Sequence, residues 1–403
     1  MTHSFPSSLQ PDTLREHLRA LCRDIGPRPA CSPAERRAAD YVRTTLRRLG
    51  VNDVHEQSFK SYTTFGWVII PLIPASLLAV LLAWSGWLWG KWLGGVILLI
   101  GAYVLYDFFY MQPPFFHRLI ARHCSQNVIA HIPAKTATPR RTIYLIGHLD
   151  SQKQRFLVPT PNPAHMRWMT TSLLLVMVIG GLVFLGDIWL TARGIGWGVW
   201  IVGALILIES MISLALTGHD EKQPYVEGAN DNASAVSVLL GIAAALQAQP
   251  LTNNEVRLLF TGCEEVQCVG LEAYRRQFKP PHENTYWIDL EMVGTGGICY
   301  VTRHGISYLT TYTPHAEMVQ LAEQTAQQYP ELQVEGRPLL IVEETATLRL
   351  NDYRAICLAG YDTQGYLPNW HRLTDTLENI EPETLSRAAC FTWALLQTID
   401  QAK

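Results

Sequence analysis

Five short motifs carry side chains that could bind divalent metal ions and hydrolyse a bond. They are Gly-His-Leu-Asp-Ser at 147–151, Gly-Ala-Asn-Asp-Asn at 228–232, Cys-Glu-Glu at 263–265, Asp-Leu-Glu-Met at 289–292, and Asn-Trp-His at 369–371 followed by Asp375-Thr376. Each motif alone is weakly specific. Together they supply two His and several carboxylates, which are the ligand types of hydrolytic metal sites.

Hydrolysis by two metal ions about 3.5–4 Å apart requires a bridging carboxylate, one His and one carboxylate for each ion, and a general base. In this inventory Asp231 is the bridge and Glu264 is left as the general base. The remaining ligands are expected to pair as His148 with Glu265 and as Glu291 with His371. Imidazole and carboxylate ligands favour zinc, two ions per chain, with cobalt or manganese as alternatives.

Three further carboxylates lie close to these residues in the sequence. Asp150 is two residues after His148, and Asp375 is four residues after His371. Both are expected to orient an imidazole or to shape the site, and Asp150 is counted with Glu264 among the catalytic residues. Asp289 lies on the same strand face as Glu291 and is therefore the alternative ligand at that position.

Alternating strands and helices must position these motifs. Sequence patterns predict strands over 51–59, 142–146, 256–260, 285–293 and 355–358, and helices over 14–25, 33–49, 233–246, 271–278, 316–329 and 382–398. This order predicts an α/β fold with a mainly parallel mixed sheet between layers of helices. Several motifs come at strand ends, where open α/β sheets bind ligands, so we expect them to converge on one crevice.

Two long apolar blocks interrupt this pattern. Residues 66–110 are long enough for two spans of about 20 residues, and 168–190 with 195–217 repeat the arrangement. The sequence therefore predicts two transmembrane hairpins, 66–111 and 166–217, inserted into one metal-binding domain made of 1–65, 112–165 and 218–403. Glu209 lies inside the last span and is expected to face protein or water rather than lipid.

The distribution of basic residues predicts the side of the membrane on which the domain lies. The domain-side flanks of the spans carry Lys60, Arg118, Arg122, Lys153, Arg155, Arg167 and Lys222, whereas the hairpin tips carry Lys91 and Arg193. The positive-inside rule therefore predicts a multi-pass membrane protein of four spans with its domain in the cytoplasm. Residues 1–10 contain no basic region followed by an apolar run, so no signal peptide is expected.

Composition argues against one class of partner. The formal net charge is −3 and there is no dense run of Lys and Arg, so no nucleic-acid partner is expected. The eight Cys are scattered without a Cys-x-x-Cys motif, which indicates buried free thiols in a reducing compartment. Cys263 adjoins Glu264 and is given no role.

Outside the apolar blocks, the chain resembles the co-catalytic di-zinc exopeptidases, a family that includes bacterial leucyl aminopeptidase, glutamate carboxypeptidase and the glutaminyl cyclases. The resemblance lies in His-x-Asp-Ser at 148–151, Gly-Ala-x-Asp-Asn-Ala-Ser at 228–234, the Glu-Glu pair, His-x-x-x-Asp-Thr at 371–376, and Gly-Pro-Arg-Pro at 26–29. The chain departs from the family at 290–292, where Leu-Glu-Met replaces the usual Leu-Asp-Met.

The resemblance implies roles for individual residues and an activity. It implies that His148, Asp231, Glu265 and His371 are zinc ligands, with Asp231 as the bridge and Glu264 as the base. The expected function is that of a membrane-anchored aminopeptidase that acts on peptides, with a preference for apolar N-terminal residues or membrane-derived peptides because a hairpin follows the His148 motif closely. The alternatives are a single-zinc acyl transferase like the glutaminyl cyclases and a non-catalytic membrane scaffold.

Overall fold

The structure is a computed structural model that describes residues 4–155 and 163–402. Its strands are β1 Asp53–Ser61, β2 His123–Ile132, β3 Thr142–His148, β4 Glu255–Thr261, β5 Thr285–Glu291, β6 Gly297–Arg303, β7 Glu335–Pro338 and β8 Arg354–Tyr361. Its α-helices are α1 Pro11–Arg19, α2 Pro33–Arg48, α3 Gly66–Ile69, α4 Leu72–Trp84, α5 Leu88–Phe109, α6 His117–Ile120, α7 Pro163–Leu185, α8 Asp187–Ala192, α9 Gly198–Asp220, α10 Ser234–Ala248, α11 Val269–Phe278, α12 Ala316–Gln328, α13 Glu344–Leu350 and α14 Pro382–Gln401.

The strands form one mixed sheet in the order β1-β2-β4-β3-β5-β8-β6-β7. The four central strands, β4, β3, β5 and β8, are parallel, while β1, β2 and β6 each pair antiparallel with a neighbour. The predicted α/β class and mixed sheet are confirmed, and β1 lies at one edge of the sheet. The sequence patterns missed β2, β6 and β7. In β2 the buried Ser125, Gln126 and Asn127 replace the apolar residues that mark a strand.

Helices cover both faces of the sheet and hold the segment that carries Asp231. The helix α10 follows this segment directly and packs against β3, α1 and α14. Gly241 of α10 allows the N-terminal region to approach closely, because a Cβ there would lie 2.6 Å from Leu14 Cδ2 and 2.8 Å from the carbonyl oxygen of Ser8. The apolar face of α10 is therefore fixed against the sheet at the level of the Asp231 motif.

Five helices in the described ranges are long and apolar enough, by length and composition, to cross a membrane: Gly66–Trp84, Leu88–Phe109, Ala164–Leu185, Gly198–Asp220 and Ala229–Ala248. The last is 94% buried and belongs to the helical cover of the sheet. The other four form a separate bundle, in which α5 packs on α4 and α7, and α9 packs on the same two helices. The second pair is shifted from the predicted 168–190 and 195–217, because α7 ends before Gly186 and the short α8 lies between the pair.

The cysteines agree in part with the predicted buried thiols. Six of the eight are buried free thiols, and Cys31 is partly buried. Cys124 is exposed on β2, because this residue lies near the end of the strand that pairs with the edge strand β1. The prediction of buried thiols is therefore wrong for Cys124.

The tips of the two apolar hairpins are joined by an ion pair. Lys91 Nζ lies 2.5 Å from Asp187 Oδ2, and the side chains are 21% and 7% exposed. We expect Lys91→Met to lower the free energy of unfolding of the bundle by about 2 kcal/mol, between the values for exposed and buried pairs, because Asp187 would lose its partner. The double variant Lys91→Met/Asp187→Leu should recover most of this loss in thermal unfolding measured in detergent.

Arg193→Met is the matched control for this prediction. The Arg193 guanidinium lies 3.5 Å from the centroid of the Trp189 ring at the same end of the bundle. Equal shifts in melting temperature for Lys91→Met and Arg193→Met would show that loss of any tip cation has this effect, and would contradict a specific contribution of the ion pair.

Candidate metal centre

The central parallel strands bring four of the predicted residues to one edge of the sheet. His148 is the last residue of β3, Glu291 is the last residue of β5, and Glu264 and Glu265 lie in the loop after β4. Because β4, β3 and β5 are adjacent and parallel, their carboxyl ends meet at the same edge. All four side chains are buried there.

Asp231 lies between the two predicted His ligands. It belongs to the short segment Ala229–Ala233, which follows Gly228 with its φ of 69° and leads into α10. Asp231 Oδ1 lies 3.2 Å from His148 Nε2, and Asp231 Oδ2 lies 3.3 Å from His371 Nε2. One carboxylate thus faces both imidazoles, which is the geometry that a bridging ligand requires.

Two sets of possible ligand atoms share Asp231. One set is His148, Asp231 and Glu291, the other is Asp231, Glu265 and His371, and the atoms of each set lie within 4.8 Å of one another. His148 Nε2 lies 3.5 Å from Glu291 Oε1, and His371 Nε2 lies 3.1 Å from Glu265 Oε2.

The donor atoms therefore group differently from the expected pairing of His148 with Glu265 and of Glu291 with His371. Strand register gives the reason. Ile146 of β3 lies opposite Asp289 of β5, so the residues two positions further along these neighbouring strands, His148 and Glu291, meet at the sheet edge. Glu265, from the loop after β4, is left to meet His371.

Unpaired buried atoms indicate that this donor set fits cations. His148 Nδ1 lies 3.1 Å from the carbonyl oxygen of Asp150, to which it can donate, so that Nε2 points a lone pair at the carboxylates. His148 Nε2, Asp231 Oδ2, Glu265 Oε1 and His371 Nδ1 are buried without a hydrogen-bond partner. An unsatisfied buried polar group costs about 1–3 kcal/mol. Coordination of divalent cations would satisfy the atoms that face the centre, and imidazole with carboxylate suits zinc.

Glu264 stands at the edge of these ligand sets. Its Oε2 lies 3.7 Å from His148 Nε2, further than the nearest oxygens of Asp231 and Glu291, although it also forms a close group with His148 and Glu265. Burial raises the pKa of Glu264 well above its usual value; the charge of His148 opposes this, while Glu265 and Glu291 reinforce it. A carboxyl beside a metal centre can accept a proton from water and return it to a leaving group.

Asp150 positions the loop that carries the Glu-Glu pair. Its Oδ1 accepts the backbone N–H of Glu264 at 3.1 Å, and its Oδ2 accepts that of Glu265 at 3.1 Å. The backbone carbonyl of Asp150, rather than its carboxylate, is the closer partner of His148, at 3.1 Å against 3.5 Å. Both oxygens of the Asp150 carboxylate bind backbone N–H groups of the loop. Asp150 is therefore a positioning residue.

Asp150→Asn is expected to lower kcat/KM about 10- to 100-fold, the usual effect of losing an outer partner of a metal site. The substituted amide has one oxygen to accept two N–H groups, and its own NH₂ group would face one of them. Steady-state hydrolysis of a leucyl chromogenic amide would measure the loss. Asp53→Asn on the exposed part of β1 is the control, and equal activity of the two variants would contradict the positioning role.

Asp375 holds the segment that carries Asp231, as Asp150 holds the loop that carries the Glu-Glu pair. Its two oxygens accept the backbone N–H groups of Asn230 at 2.6 Å and Asp231 at 3.1 Å. Burial raises the pKa of Asp375 to about 7, and the charge of Asp231 adds to this. Asp375 therefore fixes the backbone of the Asp231 motif instead of orienting the His371 imidazole.

The structure places Glu291, and not Asp289, beside His148. Asp289 Oδ2 accepts the backbone N–H of Thr345 at 3.2 Å, and its carboxyl forms a separate buried group with Glu343 and Cys357. The side chain of Glu291 is held by Asn232, whose Nδ2 donates to Glu291 Oε2 at 3.0 Å.

Sequence reasoning missed two buried charged residues that hold the site together. The Arg28 guanidinium donates to the carbonyl oxygens of Leu149 at 2.8 Å and Gly228 at 2.7 Å, and so ties two motif loops to each other. Glu35 accepts the backbone N–H of Cys263 at 2.9 Å. Arg28 falls in the Gly-Pro-Arg-Pro stretch at 26–29, which was the available signal.

Two sequence comparisons relate part of this chain to known peptidases. Residues 209–396 match the family model described as Peptidase family M28. Over 85 residues, 20% of this chain, the sequence is 34% identical to aminopeptidase YwaD of Bacillus subtilis. The aligned part spans 18% of that relative's length.

Solved structures share the fold along nearly the whole chain. A leucine aminopeptidase precursor from Bacteroides thetaiotaomicron has a TM-score of 0.58 at 14% identity, with 98% of each chain covered. A glutaminyl cyclase from the same organism, bound to N-acetylhistamine, has a TM-score of 0.58 at 14% identity, covering 99% of this chain and 100% of that one. A zinc aminopeptidase from Bacillus subtilis has a TM-score of 0.56 at 14% identity, covering 100% and 98%.

Proposed function

We propose that this chain is a membrane-anchored, zinc-dependent aminopeptidase with two metal ions, and the match of residues 209–396 to the model of Peptidase family M28 supports this choice. The observation that carries the proposal is the pair of ligand sets that share Asp231. Each set offers one imidazole and two carboxylates, which leaves a position at each ion for water or substrate. The relatives with aminopeptidase names support the choice of substrate class.

The proposal gives each residue of the site a part in amide hydrolysis. His148 and Glu291 would hold one ion, His371 and Glu265 the other, and Asp231 both. When bound, the two ions supply electrophilic assistance to the amide carbonyl and lower the pKa of a water molecule. Glu264 would accept the proton of the attacking water and then deliver it to the nitrogen of the leaving amine.

The four exposed apolar helices support membrane anchoring. Their lengths of 19 to 23 residues suit a hydrocarbon core of about 30 Å. Two hairpins return the chain to the side of the domain each time. The domain-side flanks carry more Lys and Arg than the tips, and Lys91 at one tip is paired with Asp187, so we place the domain in the cytoplasm.

Metal content and amide hydrolysis test the proposal together. Elemental analysis of the detergent-purified chain should give close to two zinc ions per chain. Hydrolysis of leucine p-nitroanilide should stop with a zinc chelator and return when zinc is added back. One zinc ion with cyclisation of glutaminyl peptides and no amide hydrolysis would replace the proposal with a cyclase. Absence of bound metal would point to a binding role for the fold.

A further inference from the structure

A cavity of about 570 Å³ joins the metal centre to the apolar bundle. Its walls include Asp231, Glu264, Glu265 and His371 of the metal centre, and they also include many side chains from α5, α7 and α9. This volume lies within the range of about 300–1,000 Å³ that is usual for small-molecule sites. The metal centre and the bundle therefore share one binding space.

One face of α9 lines this cavity along much of the helix. The lining residues recur at intervals of three and four from Leu205 to Asp220, which is the spacing of a single helical face. At a rise of 1.5 Å per residue this face is about 22 Å long. Half of a bilayer's hydrocarbon core is about 15 Å thick, so the cavity is long enough to reach the level of the lipid chains.

The cavity is also open at the side of the bundle. Leu205, Ile208 and Ile212 line it and are nevertheless 51%, 56% and 54% exposed. Because these side chains both line the cavity and are exposed, we infer that the cavity opens beside them. For helices that span a membrane, this opening faces lipid.

The lining suits a hydrocarbon chain better than a peptide backbone. Of its few hydroxyl groups, Thr170 already donates to the Met166 carbonyl oxygen at 2.9 Å, and Ser213 donates to Glu209 Oε1 at 3.1 Å. The backbone groups within the helices bond to one another. A peptide lying in this part of the cavity would leave its own N–H and C=O groups unpaired, at a cost of several kcal/mol each in an apolar medium.

We propose that the substrates of this centre are amides that carry one long hydrocarbon chain, which enters from the bilayer and lies in the cavity between α5, α7 and α9. The amide carbonyl then lies at the metal centre, where water adds to the carbonyl carbon, the C–N bond breaks, and the proton passes to the amine nitrogen. The inference rests on the proposed function. The hydrocarbon chain can belong to the acyl part or to the amine part of the amide, since in both cases methylene groups occupy the cavity.

Glu209 limits the length of the hydrocarbon chain that the cavity can bind. It lines the cavity, as expected for a carboxyl that avoids lipid, eleven residues before Asp220. This separation corresponds to about 16 Å along α9. Methylene groups that pass this point would remove water from the carboxyl and leave it only the hydrogen bond from Ser213, so longer hydrocarbon chains gain no further binding.

The test uses two substrate series with the enzyme in lipid vesicles. Leucine alkylamides with 4, 8, 12 and 16 carbons place the chain on the amine, and N-acyl-leucines of the same lengths place it on the acyl group. A methylene group moved from water is worth about fourfold in affinity, and lipid competes for the same chain, so we expect kcat/KM to rise on the order of tenfold or more from 4 to 12 carbons in one series. The rise should stop between 12 and 16 carbons.

A pair of α9 variants links this preference to the cavity. Ile212→Trp fills the cavity and should lower the ratio of kcat/KM for the 12-carbon to the 4-carbon substrate at least tenfold. Leu214→Trp is the matched control, since Leu214 is 51% exposed on the same helix and is not among the residues that line the cavity. For Leu214→Trp, the ratio of kcat/KM for the 12-carbon to the 4-carbon substrate should equal that of the wild type.

The outcomes separate the two proposals. If leucine p-nitroanilide and all members of both series resist hydrolysis, the proposed function fails. If leucine p-nitroanilide is cleaved but kcat/KM does not depend on chain length, or if the two Trp variants behave alike, the inference is overturned and the proposed function stands. A leucine-headed apolar peptide that is cleaved faster than every alkyl or acyl substrate would also overturn it.

Discussion

Asp231→Asn is expected to empty both metal positions and to lower kcat/KM for leucine p-nitroanilide on the order of 10³-fold or more. Asp231 is the residue common to both ligand sets, and its two oxygens lie 3.2 Å and 3.3 Å from the two imidazoles. An amide group at this position has one oxygen and an NH₂ group that repels a cation. Its substitution therefore weakens both ion sites together.

Elemental analysis and kinetics on the same sample would test this expectation. Asp289→Asn is the matched control, because Asp289 is also a buried carboxyl of β5 but bonds to Thr345 and not to either imidazole. It should keep about two zinc ions per chain and most of the activity. Loss of metal in Asp289→Asn with retention in Asp231→Asn would show that the ligand assignment is wrong.

Glu264→Gln is expected to lower kcat by about 10²- to 10⁴-fold while both metal ions stay bound. The substitution removes the group that takes the proton from water, and it keeps the volume of the side chain. The Glu264 carboxyl stands further from His148 than the nearest oxygens of Asp231 and Glu291 do. It is therefore assigned to proton transfer rather than to metal binding.

Glu265→Gln gives the contrast within the same loop. Glu265 Oε2 lies 3.1 Å from His371 Nε2, and the residue belongs to the second ligand set. This variant should lose metal as well as activity, whereas Glu264→Gln should lose activity alone. If Glu264→Gln also loses zinc, then Glu264 acts as a ligand, as its close group with His148 and Glu265 allows.

Local patterns allowed much of the fold to be predicted. The central strands β3, β4, β5 and β8 are short runs of apolar and β-branched residues, so each could be recognised without its neighbours. The strand β2 could not, because its buried Asn127 donates to Gln57 and to the carbonyl oxygen of Gly270, partners that are distant in sequence. From the sequence alone, a buried polar side chain cannot be distinguished from an exposed one, because its hydrogen-bond partners are not known.

The sequence by itself determined which residues have metal-binding chemistry, since His, Asp and Glu are recognisable wherever a strand ends. Only the tertiary structure decided how they pair. The register of β3 against β5 sets Glu291 beside His148, and the loop after β4 sets Glu265 beside His371. The apolar blocks were equally plain in the sequence, but the cavity that links them to the metal centre was not. It exists because single faces of α5, α7 and α9, separated by long stretches of chain, pack around one space, and a contact between distant segments leaves no local pattern.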